Sequence, residues 1–149
     1  MSTFNPQEFL TQTIEGANST SFKPVPEGEY LLQVEKLDIR TVAKTGQVIL
    51  DTTFAILDDG VKAAMGMEKV TVRKGIFLDL TAQGKIDTSE NKNVDLGRLR
   101  AAVGQNDGSK PWGPLMLLNT MLKGKVGQRP DDEDPTKIYN DVKAFAPAA

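Results

Sequence analysis

The sequence predicts a mainly β protein: a five-stranded barrel with a helical insert between its third and fourth strands and a short N-terminal helix. Three observations predict it. Apolar residues alternate with polar ones over several short stretches, the mark of strands with one dry face. The clearest is Lys69 to Thr81, where Val70, Val72, Ile76, Leu78 and Leu80 share one phase. The apolar phase of the first strand slips by one residue, which a β-bulge produces and a small coiled barrel uses. Helical spacing is confined to the N-terminus and to one segment late in the chain.

Asn5-Pro6-Gln7-Glu8 reads as an N-cap, a proline at the first helical position and a Glu at the third. Phe9, Leu10 and Ile14 give that helix an apolar stripe for packing on the domain, with Gly16 as its end and Ala17 to Ser21 as a linker. A proline-rich lead from Phe22 to Tyr30 opens the first strand. There Tyr30, Leu32 and Val34 are apolar in one phase and Leu37 and Ile39 in the other, with the slip near Glu35-Lys36. Tyr30 and Phe54 fall on apolar faces and are expected in the core. Lys44 to Gln47 is a turn, Val48 to Ile56 a second strand, and Asp58-Asp59-Gly60 a second turn. Val61 to Met67 is less regular.

After the third strand a polar loop leads to a helix capped by Asp95, with Leu96, Leu99 and Val103 on one face and Gly104 at its end. Gly113-Pro114 opens a second helix through Leu115, Leu118 and Leu122. Lys123 to Gln128 is a short basic strand, Asp131 to Pro135 an acidic loop, and Lys137 to Phe145 the last strand. Three strands, a helical insert and two more strands is the order of the OB-fold. The expected organisation is one OB-fold-like domain over residues 1–149, with 1–21 as an N-terminal arm and 146–149 as a frayed tail. A two-sheet sandwich accommodates the same elements.

Cysteine and histidine are both absent, which removes the thiol nucleophile, thiolate metal sites and the usual general base near neutral pH. The expectation is a binding protein rather than an enzyme, without metal or cofactor. The net charge of -2 is uneven: residues 1–68 carry -5, residues 69–129 carry +6 and residues 130–149 carry -3. A basic middle between acidic flanks suggests a local anion-binding surface. No apolar run approaches the length of a membrane span, so no membrane is expected as partner.

Pro26-Glu27-Gly28-Glu29-Tyr30, the turns at Gly46 and Asp59-Gly60, Leu122-Lys123-Gly124-Lys125 and Tyr139 to Phe145 resemble a family of small bacteriophage proteins. These are OB-fold single-stranded-DNA-binding proteins associated with replication and recombination. The resemblance runs from Phe22 to Pro147 in short motifs. It implies binding and protection of single strands with little sequence preference, in the host bacterial cytoplasm. Phage or host replication and recombination proteins, and a homo-oligomer, are its further possible partners. The acidic segment Asp131 to Asp134 is internal, unlike the acidic C-terminal tail that recruits enzymes in many such proteins.

A single-strand site combines cations that track phosphates with rings on which bases stack. The candidates are Arg73 and Phe77 on the third strand, and Lys123, Lys125 and Arg129 on and after the fourth. Lys137 and Tyr139 come from the fifth, and Arg40 and Lys44 flank the loop after the first. Trp112, in the Lys110-Pro111-Trp112-Gly113 loop, either stacks a base or caps the barrel mouth. Phe77 likewise reads two ways, as a stacking ring or as a side chain covered by a loop. Gly104 to Lys110 resembles a phosphate loop but has the wrong lysine position, spacing and preceding element. Asp131 to Asp134 lacks the ligand alternation of a calcium loop and reads as solvated. The alternative to nucleic-acid binding is a phage structural or interaction protein, a β-sandwich that decorates a particle or inhibits a host enzyme.

Overall fold

The computed structural model describes residues 4–20 and 23–149. Met1 to Thr3 of the expected arm, Ser21 of the linker and Phe22 of the proline-rich lead lie outside the described residues. Five strands form one antiparallel sheet in the order β3-β2-β1-β4-β5. They are β1 (Gly28–Thr41), β2 (Val48–Ile56), β3 (Thr71–Leu78), β4 (Met121–Pro130) and β5 (Ile138–Pro147). The long β1 is shared: its whole second half pairs with β2, and its first residues, Gly28 to Gln33, pair with β4. The register of β1 on β2 shifts between Val34 and Lys36, which is the bulge that the phase slip predicts. The extra residue turns Lys36, Asp38 and Arg40 outward while Leu32 and Val34 stay in the core.

The sheet curls but does not close. β3 and β5 are its two edges, and no hydrogen-bonded ladder joins them. They approach across a seam where the Lys74 ammonium lies 3.8 Å from Asp141 and helix α3 (Val94–Ala102) packs against both strands. Leu96, Leu99 and Ala102 of α3 are buried and join the core of the sheet, where α3 packs on β3 and β5. The expected five-stranded barrel is therefore a five-stranded open sheet with a helix in its seam.

The core is the inner face of every strand, with Leu32, Leu50, Phe54, Ile56, Ile76 and Leu122 among its fully buried members. Phe54 is core as expected, whereas Tyr30 is only half-buried and its hydroxyl donates to the Pro26 carbonyl at 2.6 Å. β4 can lie close to β1 because Gly124 has no side chain: a Cβ there would press into Leu32 and come within 3.2 Å of Val142.

Four elements depart from the sequence reading. The irregular stretch after Asp58 is a helix, α2 (Asp59–Met65), because the Asp58 carboxylate accepts the Val61 N–H at 3.0 Å and caps it. The expected second insert helix is one 3-10 turn, Pro114–Leu117, and Leu122 belongs instead to β4. The expected frayed tail enters β5, with Ala146 and Pro147 opposite Lys123 and Leu122. The N-terminal helix α1 (Pro6–Thr11) forms, with Asn5 accepting from the Gln7 and Glu8 N–H groups, but it buries nothing on the sheet. Phe9 packs instead edge-on to Phe4, with ring centroids 5.3 Å apart.

Backbone ends are pinned by two amides. Asn140 accepts from the Val25 N–H and donates to the Val25 and Gly127 carbonyls, so the proline-rich lead runs alongside β5. Asn93 exchanges hydrogen bonds with Asp79 and donates to the Asp87 carbonyl, which folds the polar loop after β3 back onto its own start.

Candidate nucleic-acid interface

Pairing register decides which candidate side chains share a surface, because residues directly opposite point to the same side. On the outer face of β1, β2 and β3, Arg40, Ile49 and Phe77 form one row. Asp38, Asp51 and Gly75 form the next, and Lys36, Thr53 and Arg73 the third. Arg73 and Phe77 therefore face outward together, about 13 Å apart at the ordinary rise of a strand.

Phe77 is 62% exposed, so no loop covers it. Ile49, between Phe77 and Arg40 on the same outward row, is only 2% exposed. Its two neighbours in that row shelter it. The Arg40 guanidinium crosses β2: its Nε is 2.6 Å from Asp51 Oδ2, and one terminal nitrogen lies 3.6 Å from where a Cβ on Gly75 would sit. Gly75 thus leaves the groove in which Arg40 lies flat. Arg40 is a neutralised cation that shapes the surface, whereas Arg73 has no ion pair among the described residues. Lys44 is exposed in the β1–β2 turn, next to the Arg40 end of this face.

A second group sits on the outer side of β4 and β5. Lys123 lies between Leu31 and Ala146, Lys125 between Glu29 and Ala144, and Arg129 directly opposite Tyr139. Lys137 is exposed in the β4–β5 loop and lines an open groove with Tyr139, Lys23 and Pro24. The Tyr139 ring is 47% exposed, and its hydroxyl lies in the field of the Asp131 carboxylate. A hydrogen bond to Asp131 and the charge of that carboxylate raise the Tyr139 pKa above its ordinary 10.0. Asp131 is lowered below 3.8, chiefly by the Glu133 N–H and then by Tyr139. The acidic loop is built on such turns: Asp131 accepts from Glu133 at 2.8 Å and Asp134 from the Thr136 hydroxyl at 2.6 Å.

The candidates thus divide into a β1–β3 face with Arg40, Lys44, Arg73 and Phe77, and a β4–β5 face with Lys123, Lys125, Arg129, Lys137 and Tyr139. Trp112 belongs to neither row. It is half-buried against the core, its Nε1–H donates to Gln105 at 2.9 Å, and the Arg100 guanidinium lies 4.3 Å over its ring. A base could stack on that side only by displacing Arg100. The basic middle of the sequence is accordingly spread over β3, α3 and β4 rather than gathered on one side.

The sequence-derived candidates leave out Lys36, which stands in the Arg73 row, and Lys143 of β5, whose stem lies over Gly127 of β4. The bulge is the signal for the first, since the phase slip alone turns Lys36 outward. The signal for the second is the alternation of the last strand, which puts Lys143 on the same polar side as Lys137 and Tyr139.

These features define a mainly β protein with an open five-stranded antiparallel sheet that shows an aromatic and basic outer face. Residues 12–149 match the model of the family described as "Protein of unknown function (DUF669)", and the chain belongs to that family. Comparison with curated proteins gives no match. Among the described residues no helix is long and apolar enough to cross a membrane.

Proposed function

We propose that this protein binds single-stranded DNA on the outer face of β2 and β3, as a phage protein of replication or recombination, with little sequence preference. The observation that carries the reading is the exposed Phe77 ring, in phase with Arg73, which has no ion pair among the described residues, on one strand face. A flat ring accepts any base, and a nearby guanidinium holds the phosphates. The finer fold reading is an OB-type coil that leaves its seam open. The strand order supports it, with β1 shared between β2 and β4 and the helix between β3 and β4. In that architecture oligonucleotides lie on the strand 2–3 face between the loops after the first and fourth strands. Here those loops carry Lys44 and Lys137.

The test is anisotropy of labelled oligo-dT at two salt concentrations. Phosphate contacts release counterions, so affinity should fall steeply as salt rises. No binding at low salt, or affinity that ignores salt, overturns the reading. A second reading, an interaction protein without nucleic-acid affinity, draws on the outward apolar side chains of the N-terminal arm, Phe9, Leu10 and Ile14. It predicts a protein complex lost on removing the arm, and no oligo-dT binding.

A further inference from the structure

The outer face of β1 to β3 has a flat centre in which charge is balanced. Ile49 belongs to the outward row yet is 2% exposed, so the side chains on either side of it, the Arg40 stem and the Phe77 ring, lie over it. Arg40 starts on β1 and its guanidinium ends above β3, with a terminal nitrogen 3.6 Å from where a Cβ on Gly75 would sit. Two strand spacings are about 9.5 Å, close to the full reach of an arginine, so this side chain runs along the sheet rather than out from it. Asp51 holds its Nε edge at 2.6 Å, and the Lys36 ammonium lies 3.4 Å from Asp38, so each carboxylate of this face is matched by a cation. The Arg40 side chain is still 56% exposed: its edge is held and a face of the guanidinium is open. The cations of this face without an ion pair among the described residues, Arg73 and Lys44, stand at its rim.

We propose that the Arg40 guanidinium is a second stacking platform beside Phe77, taking the neighbouring base of the bound strand. This rests on the single-strand reading above and changes the part Arg40 plays in it, from a cation for phosphates to a plane for a base. A guanidinium is flat, weakly hydrated and stacks on π systems, whereas holding a phosphate takes its N–H edges and its net charge. Asp51 occupies the Nε edge and cancels the charge, and what remains is the plane. Gly75 is the residue that lets it settle, since a side chain there would meet Ile49 at 3.1 Å, Asp51 at 3.3 Å and then the guanidinium. Gly75 and Phe77 are two residues apart on β3, so ring and guanidinium are offset by about 7 Å along the strand. Successive nucleotides of a duplex strand rise by only about 3.4 Å. The two platforms therefore take consecutive bases that have been pulled off each other, which a single strand permits and a duplex does not. The phosphates are left to Arg73 and Lys44 at the rim.

The experiment uses the full chain and an alternating dG/dT oligonucleotide. Anisotropy at low salt comes first: no binding by the wild type removes the single-strand reading itself, and this one with it. Once binding is seen, the readout is the Arg40 Nε–H proton in a nitrogen-correlated NMR spectrum, assigned by its loss in Arg40→Lys. A base lying over the guanidinium shields that proton through its ring current, so the expected shift is upfield. A downfield shift, the sign of a phosphate at the guanidinium edge, or no shift at saturation overturns the proposal and leaves single-strand binding standing. Arg40→Lys keeps the charge and loses the plane. It should weaken Kd about fivefold or more, the lower end of one stacked base, with the salt slope unchanged. Unchanged affinity overturns the proposal, and so does a loss accompanied by a fall of about 1 in the salt slope, the mark of a phosphate contact. A thermal melt checks the variant's fold, and if that fold is lost the wild-type shift alone decides.

Discussion

Replacing Phe77 by Ala separates a stacking ring from a structural one. A fully buried Phe is worth about 1.5–3 kcal/mol of burial. With 62% of Phe77 exposed, its folded-state contribution is about 1 kcal/mol, mainly the shelter it gives Ile49. The melting temperature should fall by only a few degrees, at about 2–4 °C per kcal/mol for a chain near this size. Loss of one stacked base costs about 1–3 kcal/mol, a roughly 5- to 150-fold weaker Kd. The assay pairs a thermal melt with oligo-dT anisotropy at low salt. Phe77→Leu keeps the cover over Ile49 without a π-face and should bind nearly as weakly as Ala. Unchanged affinity in both variants, with the fold intact, refutes the argument. So does a large fall in melting temperature with Phe77→Ala, which would mark the ring as core.

Further outcomes follow from the same geometry. Arg73→Gln should weaken oligo-dT binding and lower the salt slope by about 1, while Arg40→Gln, already neutralised by Asp51, should change the slope less; salt titrations of both variants check this. Asn140→Ala strips the Val25 N–H of its partner and should cost about 1–3 kcal/mol, seen as a drop of several degrees in a thermal melt. In a Tyr30→Phe background, phenolate absorbance should place the Tyr139 midpoint above 10.0, and Asp131→Asn should bring it back down. Because the folded pKa is raised, the stability from that hydrogen bond is complete below pH 10 and is lost as pH rises through the folded value.

Strand positions were legible because each strand has one face in the core, and a slip of one residue would invert every side chain. That constraint also made the bulge readable from Tyr30, Leu32 and Val34 against Leu37 and Ile39, and it put Phe77 and Arg73 on the outside. What was illegible depends on partners distant in sequence. Arg40 reads as a free cation until the register sets Asp51 beside it, and Tyr139 as a free ring until the loop folds Asp131 back onto its hydroxyl. Closure of the sheet turns on how near β3 and β5 approach, and α3 with the Lys74–Asp141 pair occupies that seam. Two local signals were present and misread. Asp58 is a helix cap as much as a turn former, with Val61 and Met65 at helical spacing behind it. Leu122 fits the helical spacing of Leu115 and Leu118, but the register of Gly124 against Tyr30 puts it in a strand.

Amide chemical-shift mapping with oligo-dT tests the central claim most directly. The account predicts perturbations centred on Arg73, Gly75, Phe77 and the Lys44 turn, with α3 and the Trp112 loop unmoved. Shifts confined to β4 and β5, or none at saturating oligonucleotide, would contradict it.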